Sequence, residues 1–503
     1  MRTAPSQHRP SLVARLRAHP RLPVDSAVAV VAGALLLLVS CTPGDDADPA
    51  ATSDEAEQPV DRVAPEALIE PGEPRDFPPA PDVPDGPLDP DLTVHVEELV
   101  AAGATDQLDT ATINGIVAGG DARVGWLLSD ILRFSLPGRE PFDGSLRAFE
   151  ELTGVELAAE PGHVPWVEVT DHLLAWDLPA WPDYREVKAQ VYLRTEPAWQ
   201  SFFDDADADI DWRLVSWGGV HIDDRPLGST APCPRGCIPA LDDPALTDAA
   251  AGAWYPDDRI VFGIVVGGEA VALPRHQMEI HEMVNLTIGG RDLGIPYCTL
   301  CGAVQAYYTD DLPDGFDRAV LRTSGLLSRS NKVMYDLATM SVFDTFTGRA
   351  VSGPLREAGV ALEQVTVVAS TWGEWRRAHP DTRILAEDGG IGRTYRDDPL
   401  RGRDDHGPIF AVGQIDPRLP AQELVVGAIA ADATPVAFPV AAARAVLRDG
   451  GEVAHHGLTG HLDGDGVRVT AEAQELASHQ AFWFAWSQFH AETQLWILTS
   501  GPG

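Results

Sequence analysis

The chain has 503 residues, with 37 basic against 76 acidic side chains and a formal net charge of −39 at neutral pH. Such a surface repels phosphate backbones and anionic headgroups, which argues against nucleic acid as a partner and favours solubility. All the basic residues except Lys188 and Lys332 are arginine, which reads as a GC-rich coding bias rather than a functional signal.

The N-terminus has the order of a secretory signal: Arg2, Arg9, Arg15, Arg17 and Arg21, then the apolar run from Ala27 to Val39. As a helix that run reaches roughly 20 Å, short of the roughly 30 Å hydrocarbon core, so a permanent span is not expected. It ends in Leu38-Val39-Ser40-Cys41, which looks like a lipobox. Residues 1–40 are therefore expected to be a lipoprotein signal peptide, with Cys41 acylated and tethering the chain to a membrane. The expected place is outside the cytoplasm, on the outer face of the cell membrane or in the periplasm. The plainer alternative is an ordinary export signal followed by an incidental cysteine. Residues 41–92 are rich in Pro, Asp, Glu and Ala with almost no aromatics, a composition that predicts a disordered acidic spacer.

Residues 93–230 begin with apolar positions at helical spacing: Val96, Leu99 and Val100; Ile113 and Ile116; Val124, Leu127, Leu128 and Leu132; Leu146, Phe149 and Leu152. Separated by Gly and Pro breaks, they predict a small layer of short amphipathic helices. Trp166, Trp176, Trp181, Trp199, Trp212 and Trp217 follow. Such a cluster either lines a ligand groove or, more commonly, fills a core.

Residues 231–500 change to β-branched runs with Gly turns, as in Ile260-Val261-Phe262-Gly263-Ile264-Val265-Val266 before Gly267-Gly268. The predicted class is α+β: a strand-rich core domain preceded by a smaller helix-rich region. A repeat is also visible. Trp372, Trp375, His379 and Thr382 return as Trp483, Trp486, His490 and Thr493 at a constant offset of 111. Val261-Phe262-Gly263 with Ala272-Leu273-Pro274 is echoed by Val425-Val426-Gly427 with Ala437-Phe438-Pro439. Two related lobes, roughly 238–388 and 408–500, are expected, with His379 and His490 in packing roles.

The string Pro296-Tyr297-Cys298-Thr299-Leu300-Cys301-Gly302, preceded by Ile280-His281-Glu282-Met283-Val284-Asn285, resembles the bacterial domain-of-unknown-function 3179 family. Ser324 to Leu327, Met334-Tyr335-Asp336, Thr339, Ser341, Thr347-Gly348, Gly353-Pro354-Leu355, Trp372 to Thr382 and Phe482 to Trp486 extend the resemblance over about 238–497. It implies an extracytoplasmic bacterial protein, often lipid-anchored, and leaves the N-terminal region outside. The chain departs from the family's pattern at Ile280, Leu286, Leu337, Met340 and Phe343, where polar or aromatic groups are expected.

Beyond Cys41, the cysteines form two close pairs, Cys233 with Cys237 and Cys298 with Cys301. In an oxidising compartment these first predict two local disulfides, closing small rings that add little chain entropy. A C-x-x-C turn with an imidazole nearby also offers soft sulfur and nitrogen, so Cys298, Cys301 and His281 are candidate ligands for zinc or copper. All four cysteines meeting in one zinc site is a variant of that reading. Thiol–disulfide exchange at Cys298 and Cys301 is a third, without a thioredoxin-like βαβ pattern around it. His281, among apolar neighbours, also fits a satisfied buried group. No H-E-x-x-H, G-x-S-x-G or phosphate-cradling loop occurs. Asn285, Ser324 and Asp336 are candidate pocket residues and equally candidate caps of turns and strands. Metal binding leads these expectations. A disulfide-stapled structural or interaction protein and a thiol–disulfide redox enzyme are the alternatives.

Overall fold

The computed structural model describes residues 71–497, apart from 159–163, 404 and 406. The expected signal peptide, Cys41 and the spacer as far as residue 70 lie outside the described residues. The last part of that expected spacer is ordered, because its side chains find partners. Gly72 donates its backbone N–H to the Pro417 carbonyl (2.9 Å), and Phe77 meets the His172 ring edge-on at 5.2 Å. Arg75 pairs with Asp171 (2.5 Å), whose carboxylate also accepts from the backbone N–H groups of Val412 and Gly413 (2.7 Å each).

Among the described residues seven α-helices follow: α1 (Pro90–Thr105), α2 (Thr110–Gly119), α3 (Gly125–Phe134), α4 (Glu140–Thr153), α5 (Pro165–Ala175), α6 (Tyr184–Thr195) and α7 (Gln200–Asp204). Local chemistry sets their ends. Asp89 caps α1 by accepting from the Asp91 N–H, with Pro90 in the first turn, and Asp109 caps α2 through Ala111. Gly120, in a left-handed conformation, closes α2. The predicted apolar stripes face inward: Leu99, Ile116, Leu127, Leu128 and Phe149 are all fully buried. At the centre, Lys188 of α6 donates to Asp130 of α3 (2.7 Å), which also accepts from the hydroxyls of Tyr184 (2.8 Å) and Tyr192 (3.1 Å).

The tryptophans are mostly core rather than a groove. Trp199 is fully buried and donates to the Ser324 carbonyl (2.8 Å), and Trp126 donates to Leu178 (3.0 Å). Helices and strands share this core. Strand Val215–Trp217 pairs with Leu321–Ser328, so the boundary expected near residue 231 is crossed by sheet hydrogen bonds.

The α+β class is as predicted, but the strand-rich region is not gathered into two lobes. Among the described residues it is divided into five small sheets in a propeller-like arrangement. One sheet runs Val215–Trp217, Leu321–Ser328, Asn331–Asp336, Val342–Asp344. A second has Met283–Ile288 and Arg291–Cys298 at its centre. Two further sheets share one plan. In the first, the hairpin Ile260–Val266 and Glu269–Pro274 leads into a helix, Val368–Thr371 pairs antiparallel on one side, and Arg383–Leu385 pairs parallel on the other. In the second, Leu424–Ile429 and Pro435–Pro439 are flanked in the same way by Ser478–Phe482 and Gln494–Leu495.

The constant-offset residues occupy matching places in these two sheets. Trp375 Nε1 donates to Thr382 Oγ1 and Trp486 Nε1 to Thr493 Oγ1, both at 2.9 Å. His379 and His490 lie against their tryptophans with ring centroids 4.0 and 4.3 Å apart. Gly263 and Gly427 lie under the two indoles, where a Cβ would collide with the rings.

Candidate functional site

The strand Arg291–Cys298 runs into a short turn, Thr299–Cys301, which Gly302 ends in a left-handed conformation (φ 56°). Cys298 and Cys301 are paired through their sulfurs, with Cα atoms 5.3 Å apart, a separation within the usual disulfide range. Cys298 is 5% exposed and Cys301 fully buried. Facing them is the end of helix Arg275–His281, where Glu282 takes a left-handed conformation. The Glu282 carbonyl accepts from Tyr297 N–H and from Lys332 Nζ, both at 3.0 Å. Its carboxylate accepts from Thr299 Oγ1, between the two cysteines, at 2.9 Å and pairs with Lys332 Nζ at 2.6 Å. Lys332 is buried and donates to Thr323 Oγ1 as well (3.1 Å). Burial pushes its ammonium below the usual lysine range, and the neighbouring Glu282 carboxylate opposes that shift.

Lys332 is delivered by the hairpin of Leu321–Ser328 and Asn331–Asp336. Its two-residue tip, Arg329-Ser330, has φ of 48° and 69°, a turn that normally takes Asn-Gly. Two non-glycine residues there cost about 1–2 kcal/mol each. The surroundings enforce the conformation: Arg329 donates from its backbone N–H to Leu214 and from Nη1 to Gln488, both at 3.0 Å. Ser330 is buried while Arg329 is half-buried, and the Ser330 carbonyl oxygen lies 3.2 Å from Cys301 Sγ and 3.9 Å from Cys298 Sγ.

On the other side of the hairpin lies a cavity of about 330 Å³, in the seam between the α7–Val215 segment and the strand-rich region. Phe202, Trp212, Val215, Leu326, Val342 and Phe489 give it apolar walls. Lys332, Arg329, Asp344, Thr345 and Gln488 add polar groups, and Thr345 Oγ1 and Gln488 Oε1 have no hydrogen-bond partner among the described residues. Burial raises the Asp344 carboxyl above the usual carboxylate range.

His281 is not placed as a ligand beside the cysteines. Its Nδ1 contacts the Pro239 carbonyl (2.7 Å) and its Nε2 the Tyr395 hydroxyl (2.8 Å), so both nitrogens are engaged. Burial holds its pKa down, at about 4. Among the described residues the metal-compatible grouping is instead Asp223 with Cys233 and Cys237. Those two cysteines are themselves paired, and the Asp223 carboxylate already accepts from Arg225 Nε (2.6 Å) and Ala240 N–H (2.8 Å). Cys298 and Cys301 stand apart from that grouping, so the four-cysteine zinc arrangement is not formed.

The candidate pocket residues turn out to brace backbone. Asn285 brackets Leu321, accepting its N–H (3.0 Å) and donating to its carbonyl (3.1 Å). Ser324 donates to the Val333 carbonyl (2.6 Å), and Asp336 accepts from Val320 and Thr339 N–H (2.8 Å each). None of the three lines the cavity. The residues that do assemble around the cysteines, Glu282, Thr299, Ser330 and Lys332, were not singled out from sequence. Adjacency to His281 and Cys298 was the available signal for the first two, and lysine scarcity for the last.

A propeller-like set of small sheets, braced by a helical layer and enclosing a buried Cys-x-x-Cys turn against an ion pair, defines the class of protein. Residues 235–456 match the family described as "Protein of unknown function (DUF3179)", so that segment is similar to this family. No curated protein and no solved structure matches the chain.

Proposed function

We propose that the protein is an exported lipoprotein, tethered through Cys41, whose folded part is a binding module for a small organic ligand held in the seam cavity. The cavity carries this reading. Its volume of about 330 Å³ suits a modest organic molecule, and mostly apolar walls with a few convergent polar groups are the usual make-up of such sites. Thr345 Oγ1 and Gln488 Oε1 supply polar atoms that a ligand would satisfy. In this reading the Cys233–Cys237 pair is a local staple beside the module. The shared plan of the two matched sheets supports an origin as copies of one blade, the smaller form of the two-lobe expectation.

Two outcomes test the proposal. Cys41→Ala should move the chain from the membrane fraction to the soluble exported fraction, and retention in the membrane would remove the anchor from the proposal. Anilinonaphthalene sulfonate, an apolar anion, should bind the folded chain at one saturable site. Val342→Trp, which fills the cavity, should weaken that binding by about tenfold or more, a loss of at least about 1.4 kcal/mol. Binding unchanged by the substitution would place the ligand elsewhere.

A further inference from the structure

We propose that Cys298 and Cys301 are an exchanging pair, cycling between disulfide and dithiol against an external dithiol, with the Glu282–Lys332 pair holding the proton that the buried sulfurs need. This inference goes beyond the ligand cavity and does not depend on what that cavity binds.

Three observations carry it. The Ser330 carbonyl stands 3.2 and 3.9 Å from the two sulfurs. A disulfide has no S–H to donate to it, whereas two thiols do, so an acceptor is in place for the reduced form. That carbonyl is brought there by a hairpin tip whose two residues hold left-handed conformations, a cost that tends to persist at functional sites.

The bond is also not needed to hold the turn. The strand before it is fixed by pairing of Met283 with Pro296, and the strand after it by pairing of Tyr297 with Val304 and Cys298 with Ala303. A ring this small adds little stability through chain entropy.

The third observation is the ion pair, whose lysine is buried and whose carboxylate side chain is 14% exposed. Taking two charges out of water is costly, and apolar residues of similar size would serve packing as well or better. Here the pair is tied by a 2.9 Å hydrogen bond to Thr299, the residue inside the cysteine turn. Tyr297 and Gly302, which flank the cysteines, line a second cavity of about 390 Å³ with Phe262 and Phe482, and Cys298 itself keeps 5% of its surface exposed.

The exchange balances as follows. A thiolate of the external dithiol attacks Cys298 Sγ, forming a mixed disulfide and breaking the bond to Cys301, which leaves as a thiolate. Fully buried, Cys301 takes up a proton from the Glu282–Lys332 pair, which is refilled from solvent. The second external thiol gives its proton to solvent and attacks the mixed disulfide, and Cys298 leaves and is protonated in turn. Two electrons and two protons pass to the protein, and the external dithiol becomes a disulfide.

The charged groups facing this pair are Asp223, which acts on Lys332, and Arg322, whose Nε lies 3.8 Å from Asp223. The test uses the full chain and dithiothreitol, and follows each cysteine pair by alkylation and peptide mass mapping. Cys298 and Cys301 should be freed together while tryptophan fluorescence stays native, and should close again on adding oxidised dithiothreitol. Glu282→Gln should slow the opening about a hundredfold at pH 7 and change its pH profile. Thr299→Val, which removes one hydroxyl and no charge, should slow it in the same direction and serves if the first variant does not fold. A pair freed only in denaturant would overturn the proposal, as would folded variants that open at the wild-type rate with the wild-type pH profile.

Discussion

Lys332→Met should lower the unfolding free energy by about 3–5 kcal/mol, because it leaves the Glu282 carboxylate without its cation in a largely buried setting. The Nζ–carboxylate distance of 2.6 Å, and the further bonds of Nζ to the Glu282 carbonyl and Thr323, mean that one substitution empties three positions. Replacing both partners, as Lys332→Met with Glu282→Leu, should recover much of the loss, since a stranded charge is worse than an apolar pair of similar volume. Urea unfolding of the two single variants and the double variant at pH 7 measures the cycle. A single loss below about 1 kcal/mol, typical of exposed pairs, would show that the pair is effectively solvated.

Mild acid should destabilise the fold well before its carboxylates titrate. Burial depresses His276, His281 and His490 to about 4 and His479 to about 3. In the unfolded chain each returns to about 6.5. Between these values the unfolded state binds more protons, so stability rises with pH there. The contribution is complete above pH 6.5, falls steadily below it, and is fully lost by about pH 4 for three of the rings and about pH 3 for His479. Asp344 and Glu423, whose carboxyls burial raises, offset part of the loss at its acid end. Unfolding curves at pH 7.5, 6, 5 and 4 measure the slope. Equal stability at pH 7.5 and 5 would mean that these rings are not held neutral.

Helices were legible because apolar residues recur at helical spacing within each stretch, as Val96, Leu99 and Val100 do, whereas the capping roles of Asp89 and Asp109 appear only in the fold. The tryptophan and histidine recurrence was legible because it is an identity pattern, and the two sheets give those residues the same contacts. Division into small sheets was not. Strands such as Leu241–Asp242 and Gln494–Leu495 have two residues, too few to show any period. Their partners, as with Val215 beside Ser328, lie far along the chain.

The candidate site divides in the same manner. Cys298 and Cys301 are visible as a motif, whereas their neighbours come from a helix end and a hairpin tip that only folding brings together. His281 has the right residue type and sequence distance for a ligand, but the Pro239 carbonyl and Tyr395 hydroxyl engage it first. Sequence spacing cannot register a competitor 114 residues away.

Lysine scarcity also takes on meaning in the fold. Lys188 and Lys332 are both buried, and each sits in an ion pair with a carboxylate. The native protein therefore presents amine-directed chemistry with no exposed side-chain target, and lysine-specific proteases with no accessible cleavage site. Acylation at either position records a moment when the interior was open. Lys188 reports on the helical layer and Lys332 on the wall between the cysteines and the cavity, so the chain carries two separate clocks for the breathing of its two halves.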